Sequence, residues 1–202
     1  YTGEDTLSLH DALPILSSIL TEYLQADYWK PVQSGDLHLT DTMKVQALVS
    51  NTKSYFHPER HRLNAPLSPH AAAALDGVQI QLSDFTLPQT SNHLIVEGAG
   101  GLMVPLNDQD LMIDLIQQLG IPVILVSRNY LGSINHTVLS IEALQRREIP
   151  IAGIVINGEP NPATESFIES MSALPILFRV GQFAEISKEE IQRFTQSLKC
   201  FF

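Results

Sequence analysis

The stretch His93-Leu94-Ile95-Val96-Glu97-Gly98-Ala99-Gly100-Gly101 joins a short apolar run to an acidic residue and a glycine-rich turn. An apolar run with this β-branched content is typical of a buried parallel strand. The glycines let the backbone approach a ligand, and one carboxylate suffices for Mg²⁺ beside phosphate, because magnesium prefers one or two carboxylates with water and phosphate oxygens. The stretch therefore predicts a strand that ends at a candidate site, although a plain turn with a solvated glutamate fits it equally well.

Two further apolar runs, at 122–126 and 151–156, predict strands of the same kind. Apolar residues at helical spacing predict helices between the three runs, at 110–119 and 133–147. This alternation is typical of right-handed βαβ units, with a parallel sheet covered by helices on both faces. We therefore expect an α/β fold whose functional residues follow the carboxyl ends of the strands.

The outer parts of the chain are less regular. Residues 51–69 contain three prolines, too many breakers for a helix, and are predicted to form an ordered loop. The remaining patterns predict helices at 16–24, 41–49, 164–171 and 187–198, and strands at 27–32 and 174–178. No repeat or linker divides the sequence, so we expect one domain over 16–202.

The composition excludes several classes of protein. The chain has 202 residues, 44% of them hydrophobic, and can bury a core without disulfides or a structural metal. Its single cysteine, Cys200, cannot form an internal disulfide, which favours a reducing cytoplasm. The net charge of −10 disfavours nucleic acid as a partner. No apolar run reaches the roughly 18 residues of a membrane span, so we expect no membrane partner.

The segment Tyr28-Trp29-Lys30-Pro31-Val32-Gln33-Ser34-Gly35 carries a lysine and a serine at the end of an apolar strand. A partly desolvated Lys30 attracts a carboxylate or phosphate strongly, whereas the alternative is a surface lysine whose ammonium reaches water. Asp41 begins a predicted helix, where the helix dipole stabilises a carboxylate that can also face a cation. By itself, Asp41 is only a helix cap.

Two more segments follow predicted strands. Gly132-Ser133-Ile134-Asn135-His136 opens a helix with Ser133 as the expected N-cap, and its free N–H groups suit an anion, although an ordinary capped helix is commoner. Asn157 can read the edge of a purine or simply form an Asn-Gly turn. His57 and His61 lie in the proline-rich region with no helix to align them, which disfavours a metal pair.

Six motifs occur together in one order and spacing. They are Lys30-Pro31-Val32-Gln33-Ser34-Gly35, Thr40-Asp41, Ala65-Pro66-Leu67-Ser68-Pro69-His70, Glu97-Gly98-Ala99-Gly100-Gly101, Gly132-Ser133-Ile134-Asn135-His136 and Val155-Ile156-Asn157. In this order they resemble the dethiobiotin synthetases, over about residues 16–178. The resemblance implies a three-layer α/β sandwich like that of the P-loop NTPases.

The resemblance also implies an activity. Dethiobiotin synthetases are ligases of biotin biosynthesis that close a cyclic urea on 7,8-diaminononanoate with CO₂, using ATP as co-substrate and Mg²⁺. A substrate amine captures CO₂ as a carbamate, the γ-phosphate activates the carbamate, and the second amine closes the ring. Such chemistry requires positioning and charge neutralisation more than acid–base catalysis. The resemblance further implies a cytoplasmic homodimer.

The family's roles transfer to positions that match its motifs. By this resemblance, Lys30 stabilises the carbamate and phosphate charge, and Ser34 hydrogen-bonds the reacting end of the substrate. The resemblance gives the magnesium ligands as Asp41 and Glu97. The resemblance assigns the substrate carboxylate to Gly132, Ser133 and Asn135, across a homodimer interface. It assigns the nucleotide to Gly98, Gly100, Asn157 and Pro175, with adenine at Asn157. The stretch 178–183 departs from the family's usual pattern and leaves that wall of the nucleotide site undefined.

One departure affects the phosphate loop, which the family ends with Gly-Lys-Thr just before the helix at 16–24. The corresponding positions are Ala12, Leu13 and Pro14, and none supplies the lysine charge. Residues 6–15 match, codon for codon, one translated frame of a common sequencing-library adapter, ACT CTT TCC CTA CAC GAC GCT CTT CCG ATC. We therefore expect residues 1–15 to be an artefactual segment that replaces the native first strand and phosphate loop, leaving the chain inactive as written; the alternative is a divergent leader.

A second function from another class is a non-catalytic, nucleotide-dependent dimeric switch related to the partitioning ATPases. It rests on the implied fold and on the missing loop lysine. The ligase is favoured because Lys30, Ser34 and the 132–136 segment have substrate roles that a switch does not need.

Overall fold

The computed structural model describes residues 9–183 and 185–198. They fall into two compact units: the first comprises 9–119 and 185–198, and the second comprises 120–183. The single domain expected over 16–202 stays a prediction, and residues 1–8 of the expected artefactual segment lie outside the described residues. In the described ranges, no helix combines the length and apolar character needed to cross a membrane.

Helices and strands alternate along most of the chain. In chain order they are α1 (Leu9–Leu24), β1 (Asp27–Trp29), β2 (Val32–Ser34), α2 (Asp41–Leu48), β3 (Phe56–His57), β4 (His61–Leu63), α3 (Pro69–Asp76), a 3₁₀ turn (Leu82–Asp84), β5 (Leu94–Val96), α4 (Met112–Leu119), β6 (Val123–Arg128), α5 (Ser133–Arg146), β7 (Ile151–Asn157), α6 (Pro162–Ser172), β8 (Ile176–Val180) and α7 (Lys188–Ser197). Every pairing between these strands is parallel. The predicted α/β class is confirmed.

The first unit contains two sheets, with strand orders β3-β1-β5 and β2-β4. Successive residues of a strand face opposite sides, and β1 uses both sides. Tyr28 packs with Val45 of α2, whereas Trp29 packs with Ala73 of α3 and Met112 of α4. Helices therefore cover both faces of this sheet, as the alternating pattern predicted.

Helix α1 begins at Leu9, seven residues before the predicted start at 16. The buried residues Ala12, Ile15 and Ile19 recur at helical spacing, so one apolar stripe continues upstream into the segment that was expected to replace a strand and loop. Pro14 lies inside the helix, and its carbonyl accepts a hydrogen bond from Ser18 Oγ at 2.7 Å. The positions that correspond to Gly-Lys-Thr are therefore helical in this chain.

Two other predictions for the first unit are wrong in detail. The strand predicted at 27–32 is two strands, interrupted at Lys30-Pro31, and β2 pairs with β4 instead of continuing beside β1. The region 51–69, predicted as loop, contains β3 and β4, with Phe56 opposite Tyr28 and His61 opposite Val32. Strands of two or three residues are set by tertiary pairing and leave little periodic signal in the sequence.

The second unit is a three-stranded sheet in the order β6-β7-β8. Ile154 and Ile156 of β7 pack with Ile141 of α5 and Ile168 of α6, so these two helices cover one face of the sheet. Glycine at 153 allows the close approach of the neighbouring strand β8, because a Cβ there would lie 2.7 Å from the Leu177 side chain. The predicted strands and helices of this unit are confirmed, with β8 displaced two residues toward the carboxyl end of the chain.

Candidate functional site

Lys30, Asp41 and Glu97 meet in the first unit. Lys30 follows β1 and Glu97 follows β5, and these strands pair in parallel with Trp29 opposite Val96, so their ends lie side by side. Lys30 Nζ is 2.9 Å from Glu97 Oε1 and 2.9 Å from Asp41 Oδ2. Asp41 is the first residue of α2, whose N-cap Thr40 accepts a hydrogen bond from the Met43 amide. We call Lys30, Asp41 and Glu97 the Lys30 cluster.

Two further residues that the sequence reasoning missed contact Glu97. Ser17 Oγ of α1 and the Tyr28 hydroxyl of β1 donate to Glu97 Oε2 at 2.6 and 2.9 Å. Tyr28 precedes Lys30 by two residues, and residues two apart in a strand share one face of the sheet. That spacing is the signal by which Tyr28 could have been assigned to the site; Ser17 has no comparable signal.

The Lys30 cluster combines burial with opposite charges, one ammonium between two carboxylates. Burial opposes the charge on Lys30, but the carboxylates of Glu97 and Asp41 outweigh that effect and raise the lysine pKa. Burial likewise opposes the charge on Asp41, but Lys30 and Lys44 outweigh it and lower the pKa of the Asp41 carboxyl. Burial and the charge of Glu97 raise the pKa of Tyr28 well above its ordinary value, so its hydroxyl keeps the proton that it donates.

The donor set of the Lys30 cluster fits Mg²⁺, although in the described ranges no three His, Cys, Asp or Glu side chains are grouped as a metal site. Asp41 and Glu97 both bind one ammonium, so their carboxylates converge on a single cation. Magnesium prefers one or two carboxylates, with water and phosphate oxygens as its other ligands. His57 and His61 contact two different carboxylates, Asp27 and Asp84, and do not form a pair.

The two candidate glycines of the turn after β5 differ. A Cβ at Gly98 would meet only Met112, at an ordinary 3.6 Å, and the Gly98 carbonyl accepts a hydrogen bond from Lys30 Nζ at 3.4 Å. Gly100 has φ +80°, and a Cβ there would lie 2.8 Å from Val104 Cγ2. The fold therefore requires glycine at 100, whereas packing gives no reason for glycine at 98.

Ser34 ends β2 with an unsatisfied hydroxyl. Its Oγ is buried and has no hydrogen-bond partner among the described residues. The neighbouring Gln33 side chain donates to the Gly35 carbonyl and accepts from the Asp41 amide, both at 3.1 Å. Gln33 therefore fixes the start of α2 relative to Ser34.

In the second unit, the predicted anion segment opens α5. Gly132, with φ +101°, is the N-cap, and Ser133 is a buried first helical residue that makes no capping bond. The prediction of Ser133 as the N-cap is therefore wrong, because the left-handed backbone that turns into the helix is placed one residue earlier, at a glycine. Asn135 is exposed, and His136 Nδ1 hydrogen-bonds the Tyr130 hydroxyl.

Asn157 is the last residue of β7. It is buried, and its side-chain amide makes no hydrogen bond among the described residues, while its carbonyl accepts from the Asn129 amide at 3.2 Å. Val180 lies opposite Asn157 in the register, whereas Pro175 precedes β8 at the other end, roughly 15 Å along the strand. The structure therefore does not bring Pro175 to Asn157, because Pro175 precedes the opposite end of β8. The residues that lie next along the chain from the Asn157 end of the sheet are those that follow Val180.

The second unit contains a cluster around a buried carboxylate, that of Glu165, which the sequence analysis did not predict. Glu165 Oε1 accepts from Asn129 Nδ2 and from the Asn161 amide, both at 2.9 Å, and Arg179 Nε donates to Oε2 at 2.6 Å. Glu165 lies in the first turn of α6, whose N-cap Asn161 accepts from the Thr164 amide. We call Asn129, Asn161, Glu165 and Arg179 the Glu165 cluster.

Comparison with known proteins places this geometry in a family. The family model of an AAA domain matches residues 13–190. The chain is 47% identical over 188 residues to the ATP-dependent dethiobiotin synthetase of Christiangramia forsetii, which covers 91% of this chain and 90% of that protein. The chain belongs to the dethiobiotin synthetase family.

Other relatives agree. The ATP-dependent dethiobiotin synthetase of Cytophaga hutchinsonii is 46% identical over 193 residues, 95% of this chain and 93% of that protein. The biotin biosynthesis bifunctional protein of Bordetella avium is 40% identical over 185 residues, which is 91% of this chain but only 40% of that longer protein. The family resemblance that the six motifs predicted is confirmed.

Proposed function

We propose that this protein is an ATP-dependent dethiobiotin synthetase, a ligase of biotin biosynthesis that acts on 7,8-diaminononanoate, CO₂ and ATP. The observation that carries the proposal is the Lys30 cluster, in which one buried cation and two carboxylates converge at the ends of adjacent parallel strands. Relatives of closely similar length, at 46–47% identity, carry the same function in their names.

The proposed reaction has three steps. One substrate amine forms a bond to the carbon of CO₂ and loses a proton, which gives a carbamate. A carbamate oxygen then attacks the γ-phosphorus of ATP, so a carbamic–phosphoric anhydride forms and ADP leaves. The second amine attacks the carbonyl carbon, phosphate leaves with its electron pair, and the remaining proton is lost as the cyclic urea closes.

The residues of the first unit serve charge and positioning. Lys30 stabilises the negative charge of the carbamate and of the transferring phosphoryl group. Asp41 and Glu97 hold Mg²⁺, which neutralises phosphate charge when bound. The unpartnered Ser34 hydroxyl hydrogen-bonds the reacting end of the substrate, and this satisfies a group whose burial is otherwise unfavourable.

The residues of the second unit serve recognition. The helix start at Gly132, Ser133 and Asn135 binds the substrate carboxylate, because the positive end of the helix dipole favours an anion. The unengaged amide of Asn157 pairs with the edge of adenine. Gly98 and Gly100 let the backbone approach the phosphates. The fold by itself requires glycine at 100, whereas at 98, where packing would accept a Cβ, backbone approach to phosphate is the proposed reason for glycine.

We further propose that the enzyme is a cytoplasmic homodimer and that the chain as written does not turn over. The Gly-Lys-Thr positions of the phosphate loop correspond to Ala12, Leu13 and Pro14, which lie within α1 and provide no cation for the β- and γ-phosphates.

The test compares three proteins: the chain as written, a repaired chain in which residues 1–15 are replaced by a first strand and a Gly-Lys-Thr loop, and the repaired chain with the loop lysine changed to alanine. Binding of 7,8-diaminononanoate in the presence of CO₂ is measured by isothermal titration, and dethiobiotin and ADP by mass spectrometry. We expect dethiobiotin only from the repaired chain with its loop lysine. A folded, repaired chain that binds no diamine and makes no dethiobiotin contradicts the proposal.

The alternative function, a nucleotide-dependent dimeric switch, is favoured by one observation, the absence of the loop lysine. It predicts ATP-dependent association with a protein partner and no binding of the diamine. Turnover by the repaired chain excludes it.

A further inference from the structure

Tyr28 is a buried side chain whose hydroxyl is unused in the reaction proposed above. Its ring is fully buried and packs with Val45 and Val49, a role that phenylalanine would fill equally well. Its hydroxyl donates to Glu97 Oε2 at 2.9 Å. Burying a hydroxyl is unfavourable unless it gains a hydrogen bond, so the contact with Glu97 is the structural reason for tyrosine at this position.

The Glu97 carboxylate is fixed by donors on both of its oxygens. Lys30 Nζ contacts Oε1, whereas Ser17 and Tyr28 contact Oε2. Ser17 lies on α1, which begins within the segment expected to be artefactual. Tyr28 lies on β1, which is paired on both sides by β3 and β5, so Tyr28 is the donor with the firmer backbone support.

We propose that Tyr28 is a positioning residue: its hydroxyl orients the Glu97 carboxylate, so that the affinity of the site for a divalent cation depends on a side chain that does not touch the cation. The inference rests on the proposed function in one respect, namely that Glu97 is a metal ligand. Hydrogen bonds that hold a metal-binding carboxylate typically affect metal affinity about 10- to 100-fold.

The experiment uses the full chain and Mn²⁺ as the probe, with free Mn²⁺ measured by its electron paramagnetic resonance signal. We expect the dissociation constant for Mn²⁺ to rise about 10- to 100-fold in Tyr28→Phe. The matched control is Tyr55→Phe, which should bind Mn²⁺ like the unaltered chain. Tyr55 is 60% exposed, and its hydroxyl makes no hydrogen bond to any residue that the structure describes. Glu97→Gln should lose the binding.

The outcomes separate the two proposals. Unchanged Mn²⁺ affinity in Tyr28→Phe overturns the positioning role alone, including where that variant melts at a lower temperature, because a purely structural role lowers stability without changing affinity. Absence of Mn²⁺ binding by the unaltered chain, or binding that survives Glu97→Gln, overturns the assignment of Glu97 as a metal ligand and the positioning role with it. Weaker binding in Tyr28→Phe, with the control unchanged, supports both.

Discussion

Glu97 of the Lys30 cluster and Glu165 of the Glu165 cluster are equally buried, at 5% and 4% exposure, and each accepts hydrogen bonds from three groups. The two glutamates differ in how far away in the sequence their hydrogen-bond donors lie. The three donors to Glu97 lie 67 to 80 residues away in sequence, on α1, on β1 and directly after β1. Glu165 has one donor four residues away, in the turn that starts its own helix.

The cations differ as well. The Lys30 side chain is 6% exposed and contacts two carboxylates, whereas the Arg179 side chain is 52% exposed and contacts one. Glu165 therefore stabilises the start of its own helix, and water solvates the guanidinium of its partner Arg179. Glu97 belongs to a junction between distant segments, where each charge depends on the others. A ligand can exchange with partners in such a junction, which is why the Lys30 cluster, and not the Glu165 cluster, is the proposed reaction site.

Replacing Lys30 is the strongest test of this difference. Lys30→Met keeps the length of the side chain but leaves the buried Glu97 and the partly buried Asp41 without an ammonium between them. Breaking a buried ion pair by removing one partner typically costs about 3–5 kcal/mol, and we expect a loss of that size in the free energy of unfolding, measured by urea titration.

The matched control for that substitution is Lys44→Met. Lys44 contacts only Asp41 Oδ1, at 3.0 Å, and its side chain is 29% exposed, so we expect a loss of about 1 kcal/mol or less. Equal losses for the two lysines would show that the Lys30 cluster is no more than a surface ion pair, and the contrast with Glu165 would disappear.

The dependence of stability on pH should also separate the clusters. The pKa values of Asp41 and Glu165 are lowered from ordinary values of 3.8 and 4.5 because Lys30 and the Asn161 amide, respectively, outweigh the effect of burial. Both contributions are complete above these ordinary values and are lost as pH falls through the folded pKa. Acid should therefore weaken both clusters.

Alkali should weaken only the Lys30 cluster. The carboxylates raise the pKa of Lys30 above 10.5 against the effect of burial, so its contribution is complete below pH 10.5 and is lost as pH rises through the folded pKa. Burial raises the pKa of Tyr28 above 10.0, so ionisation of this phenol in the unfolded chain lowers stability above that pH. Urea titrations should show a smaller alkaline loss in Tyr28→Phe and an unchanged one in Glu165→Gln; the reverse order would contradict this assignment.

The sequence predicted the Lys30 cluster better than the Glu165 cluster for a physical reason. Lys30 and Glu97 each follow an apolar strand, and parallel strands bring such residues to one edge, so strand pattern and residue type together located them. Glu165 and Arg179 lie within an amphipathic helix and a strand, where a charged residue is ordinarily solvent-facing. Their pairing depends on the register of β7 with β8, which places Arg179 opposite Ile156 and which no local pattern encodes.

The lack of a local signal for strand pairing also explains which predictions of the fold were wrong. Long periodic segments such as α5 and β7 were predicted because their apolar spacing is itself the signal. The strands β3 and β4 have two and three residues and exist through pairing with β1 and β2. Helix α1 extends to Leu9 because its apolar stripe continues past Pro14, whereas the prediction set residues 1–15 aside as an artefactual segment and began the helix at 16.

Arg179→Met tests the other side of the contrast, and we expect it to change stability least. Glu165 would keep its hydrogen bonds from the Asn161 amide and Asn129. Because the Arg179 guanidinium is half-exposed and water screens its attraction to Glu165, the free energy of unfolding should fall by about 1 kcal/mol or less. The measurement is the same urea titration, with Arg146→Met, an exposed i,i+4 pair with Glu142, as the control for removal of an arginine charge. A loss as large as that of Lys30→Met would mean that Glu165 depends on its cation as Glu97 does, and that local helix-start donors do not by themselves stabilise a buried carboxylate.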